Sequence, residues 1–149
     1  MEKLLKINLK SQKGLFITFE GGEGVGKTTQ IDLLKDYFEQ NKFKVITTRE
    51  PGGTEEGEKI RKFLVSGANN SWDPYSEALI FNAVRREHIN KLIKPAIANG
   101  EIVLCDRFID STIVYQGIAG KVDQSSLLQL HNTYSVSYTH LRAHETSLH

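Results

Sequence analysis

The sequence predicts an α/β domain of three layers, a parallel sheet with helices on both faces. Three observations carry that expectation. Short apolar runs rich in β-branched residues recur at Leu15–Phe19, Lys44–Thr48 and Ile102–Cys105. Amphipathic helical stretches separate them, an alternation that calls for parallel strands joined by right-handed crossovers. Each run ends in a glycine-rich or charged loop, and open α/β sheets bind ligands at the carboxyl ends of their strands.

Taken in order, the apolar run Leu15-Phe16-Ile17-Thr18-Phe19 reads as a buried strand. A glycine cluster follows, then a helix over about Lys27 to Glu39 whose Ile31, Leu34 and Phe38 share one face. Val45-Ile46-Thr47 centres the second strand, and Pro51-Gly52-Gly53 forces a turn. Thr54 caps a helix running to about Ser66, with a polar loop over 67–73. Pro74 opens a long helix carried to about Asn99, bent or broken near Pro95 and stopped at Gly100. The third strand ends at Asp106-Arg107, and Ser125 to Tyr134 forms the last helix.

Composition excludes several classes. The chain has 149 residues, 39% hydrophobic and 25% charged, which suits one ordinary globular domain. Nineteen Lys plus Arg against eighteen Asp plus Glu leave a net charge of +1, so no field favours nucleic acid or a membrane surface. Cys105 stands alone, which excludes a disulfide framework and a multi-thiolate zinc site. No apolar run approaches the ~18 residues of a membrane span. Residues 1–13, an N-terminal extension, carry four Lys and one Glu without a signal-peptide core or cleavage site. The expected location is cytoplasmic.

Gly21-Gly22-Glu23-Gly24-Val25-Gly26-Lys27-Thr28 matches the phosphate-loop pattern G-x-x-x-x-G-K-[ST] between a strand and a helix. Such a loop turns backbone N–H groups toward phosphate oxygens, and the helix that follows adds a favourable field. Lys27 is placed for the β- and γ-phosphates and Thr28 for Mg²⁺. The motif implies ATP or a similar triphosphate, but names no acceptor.

Three clusters stand where an acceptor would bind: Thr48 to Thr54 after strand two, Asp106-Arg107-Phe108 with Ser111 and Tyr115-Gln116-Gly117 after strand three, and one face of the long helix. That face carries Glu77, Phe81, Arg85 and His88, an aromatic platform flanked by a carboxylate and a guanidinium that could stack on a flat ring and donate to its edge. Taken singly, Phe81 reads as core, Glu77 and Arg85 as a solvated ion pair, and Arg49 and Arg107 as partners of helix carboxylates. His88 reads as structural, Cys105 as a buried strand residue and Trp72 as a local anchor.

In order and spacing, Phe19 to Gln30, Thr48 to Thr54, Leu79 to Arg85, Asp106 to Phe108 and Ser111 through Gly117 resemble bacterial thymidylate kinase over about residues 14–134. The resemblance implies a P-loop nucleoside monophosphate kinase-like fold and transfer of the ATP γ-phosphoryl group to dTMP. ATP would contact Gly21 to Thr29. Arg49 and Arg107 would hold the acceptor phosphate, Pro51 would join the substrate-binding residues, and Phe81, Arg85, Ser111, Tyr115 and Gln116 would lie at the base and sugar. Lys27, Arg49 and Arg107 would neutralise the transferring group, with Mg²⁺ near Thr28, Glu50 and Asp106. A homodimer is also implied. The rival readings are a catalytically dead nucleotide-binding fragment and a P-loop kinase for another nucleoside or nucleotide.

The chain departs from the family pattern twice. Val84 stands where an Asp often precedes the arginine matched by Arg85. Residues 135–149 resemble the translation of a transposase-type library adapter, and match neither lid, fourth strand nor adenine loop. Its His140 and His144, at i, i+4, are not read as a zinc site. The family's sheet order is 2-3-1-4-5. Without strands four and five, strand one would be an open edge and an aggregation template, and without a lid arginine this chain would be inactive.

Overall fold

The computed structural model of the chain describes residues 14–65, 72–135 and the backbone of 143–147. The 1–13 extension and most of the loop expected over 67–73 lie outside the described residues. A parallel sheet in the order β2-β3-β1-β4 is built from β1 (Leu15–Glu20), β2 (Val45–Arg49), β3 (Ile102–Asp106) and β4 (Ala143–Ser147). The first three strands stand within a residue or two of the expected runs, in the expected order 2-3-1.

Alternation along β1 and β3 sorts the core onto two faces. Phe16, Val103 and Cys105 point one way and pack on Ile89, Ile93, Ala96 and Phe108. Ile17, Phe19, Ile102 and Leu104 point the other way and pack on Ile31 and Phe38 of α1 (Lys27–Gln40). Register pairs Phe16 with Val103 and Ile17 with Leu104, so each face receives matched side chains from both strands. Two buried faces explain why β1 and β3 read as continuous apolar runs, while β2 is half-exposed. Cys105 is buried, as expected, and its thiol donates to the Arg107 carbonyl.

Helix ends follow sequence chemistry. Thr54 Oγ1 accepts the Gly57 N–H at 3.0 Å and caps α2 (Glu55–Val65). Asp73 accepts from the Tyr75 and Ser76 amides and caps α3 (Pro74–His88). The expected single helix to Asn99 is divided in three. After α3 comes a π-turn, Ile89–Ile93, and then α4 (Lys94–Ala98). Pro95 has no N–H to return to Lys91, and the chain widens so that the Lys94 N–H reaches back five residues to Ile89 O. A second π stretch, Ile113–Ala119, follows the short α5 (Ile109–Thr112), and α6 (Gln124–Tyr134) closes the α3 side. Trp72 meets Phe63 edge to face. Among the described residues no helix is long and apolar enough to cross a membrane.

One expectation about the tail needs correction. The edge of β1 does not stand open, because Ala143–Ser147 pairs with it in parallel register from Phe16–Ala143 to Glu20–Ser147. The reason is general: an apolar strand with unpaired N–H and C=O groups is a template for any extended segment within reach. His144 therefore lies on a strand, not on the helix that a His140/His144 pair would need. Ser135 is buried and its hydroxyl donates to Asn82 Oδ1 at 2.7 Å. The remaining tail, 136–142 and 148–149, lies outside the described residues.

On α6, His131 is buried against the edge of the Phe108 ring, and its Nδ1 has no hydrogen-bond partner among the described residues. Burial, and secondarily the Arg85 charge, push its pKa down to about 4, against the weaker opposing pull of Glu50. The unfolded chain takes up this proton near the ordinary value of ~6.5. Between those limits the unfolded state binds more protons, so stability is lost as pH falls through the window. Thermal unfolding between pH 7 and 4 is expected to show that loss, and His131→Leu to flatten it. An unchanged slope in the variant would assign the acid sensitivity to carboxylates.

Candidate active site

The carboxyl ends of β1, β2 and β3 carry the three loops that build the site. Lys27, the first residue of α1, is 9% exposed, while loop residues Gly21 to Gly26, with Glu23 and Val25, are open to solvent. The Lys27 ammonium donates to the carbonyls of Gly22 at 2.7 Å and Gly21 at 3.2 Å, folded back on its own loop. Asp106 Oδ1 lies 3.9 Å from it, buried and without a hydrogen-bond partner. Thr28 and Thr29 are exposed on the first turn of α1.

Thr28 and Asp106 line one cleft, and a threonine hydroxyl and a carboxylate oxygen that accepts no hydrogen bond among the described residues are oxygen ligands of the kind a Mg²⁺ ion takes, with phosphate oxygens and water completing the set. Asp106 and Thr28 therefore fit Mg²⁺. Glu50 does not. Its Oε2 accepts the Arg85 Nε–H at 2.6 Å and its Oε1 lies 3.1 Å from His88 Nδ1, with the carboxylate 4% exposed. Both oxygens are engaged in a buried network with Arg85 and His88, and Glu50 does not line the cleft that holds Thr28 and Asp106.

That network ties three segments together. Arg85 Nη2 also donates to Thr112 Oγ1 at 2.8 Å and to the Phe108 carbonyl, and its guanidinium lies 5.3 Å from the Phe108 ring centroid. An ionised Glu50 can only accept, so His88 Nδ1 carries a proton, and His88 Nε2 meets Thr48 Oγ1 at 2.8 Å. Gly53 lies against the imidazole, where a Cβ would stand 2.3 Å from His88 Nε2. His88 is structural, as its sequence reading held.

Around this frame the remaining candidates fall into two groups. Arg49 is exposed and forks onto Glu58 of α2, Nη2 to Oε2 at 2.8 Å and Nε to Oε1 at 3.3 Å. It shares a cleft of about 570 Å³ with Thr28, Gly53, Thr54, Glu58 and Asp106. The Pro51 carbonyl accepts from Arg61 Nη1 at 2.9 Å. The second group lies between α3 and the β3 loop. Arg107, at a φ of 72°, donates to Ser111 Oγ and stacks over Tyr115, its guanidinium 5.4 Å from the ring centroid. Gln116 is buried and donates from Nε2 to Glu77 Oε2 at 2.9 Å. Phe81 is half-buried on the same helix as Glu77 and Arg85.

Sequence reasoning missed three contributors. Glu20, ending β1, accepts the Phe108 N–H and the Ser111 hydroxyl, each at 2.6 Å, and so fixes the start of α5. Burial raises its pKa, aided by the charges of Asp110 and Glu50 and opposed by those two hydrogen bonds. Glu58 and Arg61 lie in the first two turns of α2, where the only sequence signal is their closeness to the turn after β2. Arg61 is half-buried, and burial together with the Arg49 charge lowers its pKa.

Known proteins resemble this chain in sequence and fold. The thymidylate kinase family model matches residues 19–138. A thymidylate kinase of Bartonella quintana is 54% identical over 114 residues, 76% of this chain and 53% of its own length. One from Caulobacter vibrioides is 50% identical over 118 residues, 79% of this chain and 57% of its own. The crystal structure of thymidylate kinase from Ehrlichia chaffeensis superposes with a TM-score of 0.76 at 46% identity, covering 85% of this chain and 71% of that one. The chain spans about half the length of the curated relatives it matches. With its phosphate loop, its arginines at the strand ends and a parallel sheet ordered as expected, this chain belongs to the thymidylate kinase family.

Proposed function

We propose that the protein carrying this chain transfers the γ-phosphoryl group of ATP to the phosphate of dTMP, giving dTDP and ADP. One observation carries the reading: Thr28 of the phosphate loop, Arg49 after β2 and Asp106 after β3 line a single cleft. A donor held by the loop and an acceptor phosphate held by the arginines would meet there. The bond from the γ-phosphorus to the β-bridging oxygen breaks, a bond to a dTMP phosphate oxygen forms, and ADP leaves. The acceptor is already an anion, so no general base is assigned. What the transfer needs is alignment of two anionic groups and neutralisation of their charge.

Lys27 would release the Gly21 and Gly22 carbonyls to reach the β- and γ-phosphates, while Arg49 and Arg107 would hold the acceptor phosphate. Mg²⁺, held by Thr28 and Asp106 with phosphate oxygens, supplies charge neutralisation when bound. Phe81 would stack on thymine. Arg85, whose Nε and Nη2 bond Glu50, the Phe108 carbonyl and Thr112, would donate to a base carbonyl. Gln116 and Ser111 would sit at the base edge, and Tyr115 beside the deoxyribose. The resemblance puts the lid arginine and adenine loop in the length of the relatives that this chain does not span. Turnover is therefore assigned to the full-length protein and nucleotide binding to these 149 residues. A homodimer and a cytoplasmic location remain part of the proposal.

The test is ADP release by the full-length protein with ATP, Mg²⁺ and a panel of nucleoside monophosphates. Release that depends on dTMP is expected. Release with another monophosphate and none with dTMP would move the chain to a different kinase specificity. In the same protein, Lys27→Ala is expected to abolish transfer while dTMP still binds, and near-normal turnover would remove the loop assignment. Phe81→Ala is expected to weaken dTMP by ~1–3 kcal/mol, the scale of a lost stacking contact, with ATP little changed. Equal weakening of both nucleotides would identify Phe81 as core.

A further inference from the structure

Glu58 makes the contacts that an acceptor phosphate would make. Its Oε1 accepts the Gly53 N–H at 3.1 Å and Arg49 Nε–H at 3.3 Å, and its Oε2 accepts Arg49 Nη2 at 2.8 Å. A backbone amide and a guanidinium fork converging on one pair of anionic oxygens is how proteins bind phosphate. The turn is shaped to admit the carboxylate: Gly52 has a φ of 141°, and a Cβ there would stand 2.3 Å from Glu58 Oε1. Arg49 and Glu58 also line the cleft shared with Thr28 and Asp106, so the pair lies where an incoming anion arrives.

We propose that the Glu58 carboxylate is a built-in competitor that holds Arg49 and the Gly53 amide until the phosphate of the acceptor displaces it. The inference rests on the acceptor-phosphate reading of Arg49 given above. The pair is weak enough to be displaced, because Arg49 is 53% and Glu58 33% exposed and solvent screens such pairs. A phosphomonoester brings more charge and more acceptor oxygens than the carboxylate and replaces it. A neutral nucleoside brings neither, and leaves Arg49 paired. Glu58 would thus lower the affinity for a nucleoside monophosphate and leave that for the parent nucleoside unchanged, without touching either base or sugar.

The experiment is an NMR titration of the 149-residue chain and its Glu58→Gln and Glu58→Ala variants with methyl phosphate, dTMP and thymidine, following the Gly53 amide and Arg49 Nε–H. Both variants are expected to bind methyl phosphate and dTMP about two- to fivefold more tightly than the parent, the scale of one exposed ion pair released. Thymidine affinity is expected to stay unchanged. Methyl phosphate binding that is unchanged or weaker in both variants overturns the proposal, because Glu58 would then be presenting Arg49 to the ligand instead of withholding it. A gain for methyl phosphate with no dTMP binding in any form would keep Glu58 as the competitor and strike out the nucleotide reading.

Discussion

The buried carboxylate of Glu50 is the constraint on which the acceptor half of this molecule depends. Removing a carboxylate and a guanidinium from water costs several kcal/mol each, and their attraction offsets that only with good geometry and further hydrogen bonds. Arg85, at 3% exposure, supplies the geometry with a 2.6 Å bond from Nε. Thr112, the Phe108 carbonyl, His88 and Thr48 supply the further bonds. The network joins residues far apart in sequence: the end of β2, the last turns of α3 and the start of α5. It thereby orients the helix face that carries Phe81 and Glu77, closes the Pro51–Gly53 turn against His88, and sets where the β3 loop leaves the sheet.

A second arrangement serves the donor end, and its logic is the reverse. Glu50 is satisfied, whereas Asp106 Oδ1 accepts no hydrogen bond among the described residues, and Lys27, 3.9 Å from it, donates to carbonyls of its own loop. A buried carboxylate oxygen left unmade costs free energy. Keeping it so makes sense where a ligand completes the set. The two ends of the cleft thus divide into a rigid frame and a set of groups held in provisional contacts, Lys27 on carbonyls and Arg49 on Glu58.

The sheet was legible because β1 and β3 are buried on both faces and so read as unbroken apolar runs. The helix caps were legible because Thr54 and Asp73 act locally. The π-turns were not, since Pro95 announces a disturbance without saying whether the helix kinks or widens. The pairing of β4 was not, because its capture depends on a free edge of β1 and not on the pattern Ala143 to Ser147. Within the site, the phosphate loop is a contiguous motif, and its position followed at once. Glu50 was assigned to the metal because sequence shows which residues leave a strand end but not which way a side chain turns. Its partners Arg85 and His88 lie 35 and 38 positions away.

The Glu50–Arg85 pair acts as one unit holding this frame. A double-mutant cycle on urea unfolding, with Glu50→Gln, Arg85→Met and the double variant, tests it directly. Each single substitution strands a buried polar or charged partner and is expected to cost ~3–5 kcal/mol. The double variant leaves no uncompensated buried charge and is expected to cost at least ~1.5 kcal/mol less than the sum of the singles. Single costs below ~0.5 kcal/mol, or costs that simply add, would contradict the claim and reduce the pair to an incidental contact.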